Sequence, residues 1–255
     1  MVQEFFGPQF PPVGELVRNI DIVFVNSNEI IEKPRPLSHK VKYIGGAALP
    51  KAKPVTKVIP TKNIPLNIRK NFVEAFKKFP EITFMWKYDV QNDEGNMFLN
   101  VTNVHILKWM PQTDLLGNIK CYNYFIIGDR RVIGFISHMG LNSLLEASYA
   151  GIPILAVPIF SDQAHNAQIG VDRGTTVIVN KDELTTDNIE NALKKLLYDT
   201  RYRDNAIRIS SLLKNKPEDV KSKFVNWVEY AAQHKRLHKK IEASLRDKML
   251  FCTKY

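Results

Sequence analysis

Between residues 66 and 199 the chain alternates short apolar runs with amphipathic ones. LNIRKNFVEAFKKF (66–79) carries apolar residues at helical spacing and predicts an amphipathic helix. After Pro80, ITFMWKY (82–88) and VHILKWM (104–110) are apolar runs of strand length. DLLGN (114–118) begins a short helix. FISH (135–138) predicts a strand, LNSLLEASYA (141–150) a helix, and ILAVPIF (154–160) a further strand. Gly151 ends that helix and Pro153 opens the strand. AHNAQIGVDRG (164–174) predicts a helix, TTVIVN (175–180) a strand, and TTDNIENALKKLLYD (185–199) a Thr-capped helix. Upstream, residues 1–20 are Pro-rich and then helical, and IDIVFVNS (20–27) and KVKYIGGAAL (40–49) predict strands. Three basic helical segments finish the chain. This alternation predicts an α/β fold with a parallel, doubly wound sheet.

Residues 135–163 concentrate the candidate chemistry. His138 falls at a strand end, and Gly140, Asn142 and Ser143 fall where the next helix begins. A helix N-terminus offers unpaired N–H groups and a partial positive charge, a ready anion site. Gly140 lets a ligand approach the backbone. His138 is placed to donate to a diphosphate, or else is a structural histidine. Asn142 and Ser143 cap the helix, donate to phosphate, or do both. Glu146 lies one turn further on the same face, where a carboxylate accepts from two ribose hydroxyls; the alternative is an ordinary surface glutamate. Asp162 and Gln163 fall past the carboxyl end of the following strand, the edge where open α/β sheets bind ligands. Such a layout suits a phosphate linked to a hydroxyl-rich group. Asp162 is also a candidate N-cap. Asn166 is left between capping and phosphate contact, and His165 has no assigned role.

The spacing of His138, Gly140, Ser143, Glu146, Pro153, Pro158, Asp162 and Gln163 resembles the signature of the UDP-glycosyltransferases, the family that includes the glucuronosyltransferases. The resemblance extends through WMPQTDLLG (109–117), FVEAFKKFPEITFMWKY (72–88) and KFVNWVEYAAQ (223–233). It implies one Rossmann-like, nucleotide-sugar-binding half of a two-domain GT-B fold. Residues 1–50 are then a remnant of the acceptor-binding half and 51–65 a Pro- and Lys-rich linker. Residues 66–213 form the UDP-sugar-binding domain and 214–255 basic C-terminal helices. It further implies Trp109 and Gln112 near the uracil, with core packing the alternative for Trp109, and Asp162 and Gln163 on the transferred sugar. The resemblance also implies a UDP-sugar as donor substrate, with no separate cofactor, and a small lipophilic hydroxyl compound as acceptor.

Several features depart from that pattern. The stretch before Leu66 lacks the strand and loop that open the nucleotide half in the family. NIKCYNYFIIGDRRVI (118–133) is an atypical insertion, and its apolar CYNYFII either supplies the absent strand or protrudes. The family's catalytic base, a His in the acceptor half, has no match; His39 sits in PRPLSHKVKY, which lacks the catalytic motif. Three readings therefore stand: a hexosyltransferase, a UDP-sugar-binding module that pairs with a full-length relative or an acceptor-half subunit, and an inert or regulatory fragment.

Charge changes this picture little. The net charge is +10, and from Lys214 to Tyr255 eleven Lys/Arg face five Asp/Glu. Such a tail is a solvated helix face or meets a membrane surface. No aromatic-interleaved basic motif points to nucleic acid. Two cysteines, Cys121 and Cys252, make neither a disulfide framework nor a metal-ligand set. The family implies the endoplasmic reticulum membrane, yet MVQEFFGPQF has no signal-peptide apolar run and no stretch reads as a transmembrane helix. Asn100-Val101-Thr102 is a sequon that matters only in the secretory pathway.

Overall fold

The computed structural model describes residues 6–7, 9–47, 64–87, 97–107, 131–234 and 237. Trp109, Gln112, DLLGN, CYNYFII, both cysteines and the end of the basic tail lie outside the described residues. Two compact units emerge, one of residues 1–48 with 216–255, the other of residues 49–215.

In the larger unit, α2 (Leu66–Lys77) is followed by β3 (Phe84–Lys87), β4 (Val104–Leu107), β5 (Phe135–Ser137) and α3 (Leu141–Ala150). Then come β6 (Ile154–Ala156), α4 (Gln163–Asp172), β7 (Thr176–Ile178), α5 (Thr186–Tyr198) and α6 (Thr200–Lys214). Every ladder is parallel: β3 with β4, β5 with β6, and β6 with β7. Parallel strands joined by helices make an α/β fold, as the alternation predicts. The strands are shorter than their apolar runs; Val157 to Phe160 leave the ladder after β6. Pro158 has no N–H to donate, which limits that strand.

One core serves both ladders. Phe72, Phe76 and Phe79 of the α2 region meet Val104, Leu155, Val177, Ile189 and Leu193 in a single buried cluster. The Phe76 ring stacks on Phe84 at 4.0 Å and meets Trp86 edge-on at 5.8 Å. Among the described residues, β3 and β5 are each paired on one side only. The sheet therefore falls into β3–β4 and β5–β6–β7 under a shared core.

Helix ends follow local chemistry. Thr185 Oγ1 accepts from the Asn188 N–H at 3.2 Å, the expected cap of α5. Gly151 closes α3 with φ +73°, and the Ile152 N–H reaches back to the Ala147 carbonyl at 3.1 Å. Gly170 lies so close to β7 that an added Cβ would stand 2.1 Å from Thr176 Oγ1. Asn100 and Thr102 of the sequon are both exposed.

In the smaller unit, α1 (Val13–Arg18) precedes parallel strands β1 (Val23–Val25) and β2 (Val41–Tyr43). The same unit contains α7 (Val220–Gln233), whose Phe224 ring meets Phe24 edge-on at 4.8 Å. Among the described residues, no helix is long and apolar enough to cross a membrane.

Candidate functional site

The site is built on the carboxyl ends of two adjacent parallel strands, β5 and β6. β5 ends at buried Ser137, and His138 follows half-buried. The chain then turns sharply, with Met139 at φ +65° and fully buried. A non-glycine residue in this region is strained and is held by its surroundings. Here the Met139 N–H donates to Ser137 Oγ at 3.1 Å, and the Met139 carbonyl accepts from Asn166 Nδ2 at 3.0 Å. The turn brings Gly140 under the His138 ring, where an added Cβ would sit 2.8 Å from Nε2. Glycine at 140 thus leaves room for the His138 ring, and its backbone angle, φ −58°, does not itself call for glycine.

Gly140 also occupies the N-cap of α3, and no side chain caps this helix end. Asn142 and Ser143 therefore do not serve as caps; both lie in the first turn, Asn142 exposed and Ser143 half-buried. The first-turn N–H groups have no side-chain cap, as an anion site requires. Glu146 is buried rather than a surface residue. Burial lowers the affinity of the His138 imidazole for a proton, and the Asp162 carboxylate opposes that shift. The imidazole is held largely neutral at neutral pH, beside an acidic neighbour.

The second loop, after β6, carries the polar pair. Ser161 adopts φ +59°, and Asp162 follows at the first position of the α4 turn. Asp162 makes no capping bond; its Oδ2 accepts from Asn166 Nδ2 at 2.9 Å. Gln163 is buried, and its Oε1 accepts from the Ile159 and Phe160 N–H groups at 2.8 and 3.2 Å. Only the amide NH2 of Gln163 is left for a ligand, so the pair divides into an acceptor, Asp162, and a donor, Gln163. His138, Gly140, Asn142, Ser143, Glu146, Asp162 and Gln163 therefore come from two neighbouring strand-end loops and the helix between them. Trp109 and Gln112 fall outside the described residues. His165 is exposed. Sequence reasoning left Asn166 open and passed over Met139. The only sequence signal was the spacing of four between Asp162 and Asn166, which puts them one helical turn apart.

Comparison with known proteins identifies the family. Residues 60–246 match the family described as "UDP-glucoronosyl and UDP-glucosyl transferase". UDP-glucuronosyltransferase 1A7 of Mus musculus is 31% identical over 87% of this chain and 42% of its own length. UDP-glucosyltransferase 2 of Dactylopius coccus is 28% identical over 93% of this chain and 47% of its own length. The chain thus spans about half the length of the curated relatives it matches. Among solved structures, UDP-glucose:anthocyanidin 3-O-glucosyltransferase in complex with UDP superposes with a TM-score of 0.56. That match has 22% identity and covers 71% of this chain and 39% of that one. The kitacinnamycin glycotransferase gives a TM-score of 0.55 at 18% identity, covering 70% and 41%. These are likenesses of fold, and they place the α/β unit among the Rossmann-like halves of GT-B glycosyltransferases. The chain belongs to the UDP-glucuronosyl and UDP-glucosyl transferase family.

Proposed function

We infer that this chain binds the UDP moiety of a UDP-sugar along the His138–Glu146 turn and helix, and the sugar at Asp162 and Gln163. One observation carries the reading: the loops after β5 and β6 converge, since Asn166 Nδ2 donates to the Met139 carbonyl at 3.0 Å and to Asp162 Oδ2 at 2.9 Å. The His138 N–H and the first-turn amides of α3 donate to the diphosphate. Glu146 accepts from the ribose, and Trp109 and Gln112 are assigned to the uracil. Asp162 and Gln163 hold sugar hydroxyls, and glucosyl and glucuronosyl groups both suit an acceptor–donor pair.

In the whole enzyme the acceptor is a lipophilic hydroxyl compound. Its oxygen bonds to the anomeric carbon, UDP leaves with the electrons of the broken C–O bond, and a base takes the hydroxyl proton. The groups described here serve the leaving diphosphate. None of them is assigned as the base, and His39 is exposed in the other unit. That division favours a second reading, a donor-binding half that works with an acceptor-binding partner or a full-length relative. The basic tail is left between a solvated helix face and a membrane-surface contact.

Calorimetric titration with UDP tests the first reading. Wild type binds, and His138→Ala weakens binding by about tenfold, the loss of one charge-assisted hydrogen bond. A folded wild-type chain with no UDP affinity rejects the reading. Hexosyl transfer that appears only when an acceptor half is added supports the second.

A further inference from the structure

We propose that Asn166 is a positioning residue that locks the sugar-holding carboxylate of Asp162 to the nucleotide-holding turn at Met139. The assignment rests on the donor-site reading above and deepens it. Asn166 is buried on α4, and its Nδ2 donates to two acceptors, the Met139 carbonyl at 3.0 Å and Asp162 Oδ2 at 2.9 Å. A side-chain amide has two N–H bonds, and both are used. The orientation of the amide follows, because an oxygen here would face two other oxygens.

The two acceptors belong to different loops. The Met139 carbonyl lies in the strained turn after β5, between His138 and Gly140. Asp162 lies in the turn after β6, and its side chain is exposed. An exposed carboxylate on a turn ordinarily samples several rotamers. Asn166 removes that freedom and leaves Oδ1 to accept from a sugar hydroxyl. One buried amide thus fixes the spacing between the diphosphate and hexose positions of a single ligand. Preorganisation of this kind improves affinity by lowering the ordering cost on binding.

The two anchor points are not equally dependent on Asn166. The Met139 turn has a second holder, Ser137 Oγ, and the Leu144 N–H donates to the Gly140 carbonyl at 3.1 Å. The Asp162 carboxylate has Asn166 as its hydrogen-bond donor. Loss of Asn166 therefore falls mainly on the sugar.

A double-mutant cycle with UDP and UDP-glucose as probes tests this. Wild type, Asn166→Ala, Asp162→Ala and the double variant are titrated calorimetrically, with thermal unfolding recorded for each. Asn166→Ala weakens UDP-glucose binding by about tenfold and UDP binding by about threefold or less. Asp162→Ala in the Asn166→Ala background then costs far less than in wild type. Asn166→Asp sets a carboxylate against a carboxylate, and its UDP-glucose affinity recovers on acidification as the pair takes up a proton, more steeply than in Asn166→Ala, which keeps only the dependence carried by His138. Equal losses for both ligands, additive effects, or coupling seen only in thermal stability overturn the positioning role. UDP binding by wild type with unaltered UDP-glucose affinity in Asn166→Ala rejects this assignment alone. Failure of wild type to bind UDP rejects the donor-site reading and the assignment together.

Discussion

Gly140 and His138 show how narrow the tolerances of this site are. A methyl group at Gly140 would meet the ring nitrogen of His138 at 2.8 Å, the far end of a movable side chain. The backbone there, at φ −58°, accepts alanine. Gly140→Ala therefore costs only about 0.5–1 kcal/mol, the difference between Gly and Ala at an N-cap, because the ring can rotate aside. Function pays more, since the rotated ring no longer faces a diphosphate. The expected result is a near-wild-type melting curve with UDP affinity reduced about tenfold. Equal affinities would show that the ring does not touch the ligand. The charge of His138 gives a second test. Burial lowers its proton affinity, with Asp162 opposing, so the folded free protein holds it below the usual value of 6.5. The unfolded chain takes the proton more readily, so the His138 contribution to stability is full above about pH 6.5 and declines on acidification. Ligand binding has the opposite sign. A bound diphosphate adds negative charge and draws a proton onto the imidazole, so UDP-glucose affinity rises as pH falls through the neutral range. UDP-glucose is the right probe, because its diphosphate diester does not titrate there. A slope that persists in His138→Gln would assign the proton to another group.

Elements were legible where a single helix or strand carried its own signal. The α3 helix follows its apolar run from Leu141 to Ala150, and Thr185 caps α5 as its position suggests. Pairing between distant elements was not legible. Asn103 is the clearest case: it lies in a polar stretch before β4 and carries no motif. Its Nδ2 donates to the carbonyls of Phe76 at 2.8 Å, Phe79 at 2.9 Å and Ile82 at 3.3 Å. Those carbonyls lie at the C-terminal end of α2 and just beyond it, and those of Phe76 and Phe79 also accept the Phe79 and Ile82 N–H groups at 3.0 Å. Asn103 also accepts the Phe84 N–H through its own carbonyl, at 2.8 Å. One buried amide thereby ties the end of α2 to the start of both β3 and β4. Asn103→Ala takes the side-chain donor from three carbonyls, two of which keep a backbone N–H, and is expected to cost about 1–2 kcal/mol, read as a lowered denaturant midpoint with unchanged slope. A loss under half that figure would mean that water replaces the amide. The loops after β5 and β6 obey the same logic. The positions of His138, Asp162 and Gln163 beyond the strand ends were readable from the sequence. The link through Asn166 was not, because hydrogen bonds across 27 residues leave no periodic trace. The gain of an acceptor–donor split at Asp162 and Gln163 was equally hidden, since it depends on two backbone N–H groups claiming one side-chain oxygen.

Across the whole chain, the two ends form one unit. Reading along the sequence assigns 1–50 and 214–255 to separate pieces, yet residues 1–48 and 216–255 cluster together. Lys216 Nζ reaches Glu29 Oε1 at 2.6 Å across 187 positions. Lys42 Nζ lies 3.8 Å from the centre of the Trp227 ring, and Phe224 abuts Phe24. Burial, and then the nearby Lys223 charge, lower the proton affinity of Lys42, with Glu218 opposing. An ammonium beside an indole face gains about 0.5–1 kcal/mol near a surface, and no residue of α7 is buried. The strands beneath, β1 and β2, have three residues each, and a two-stranded ladder of that length has little stability of its own. Removing residues 216–255 therefore takes Phe224 from Phe24 and Trp227 from Lys42, the contacts that α7 makes with β1 and β2. Hydrogen-exchange mass spectrometry is the suitable readout, because it resolves the two units separately. Exchange should accelerate across 23–25 and 41–43 in the truncated chain, while residues 135–178 keep their protection. Unchanged exchange in β1 and β2 would show that α7 does not hold them, and lost protection across 135–178 would make the tail a support of the donor site itself.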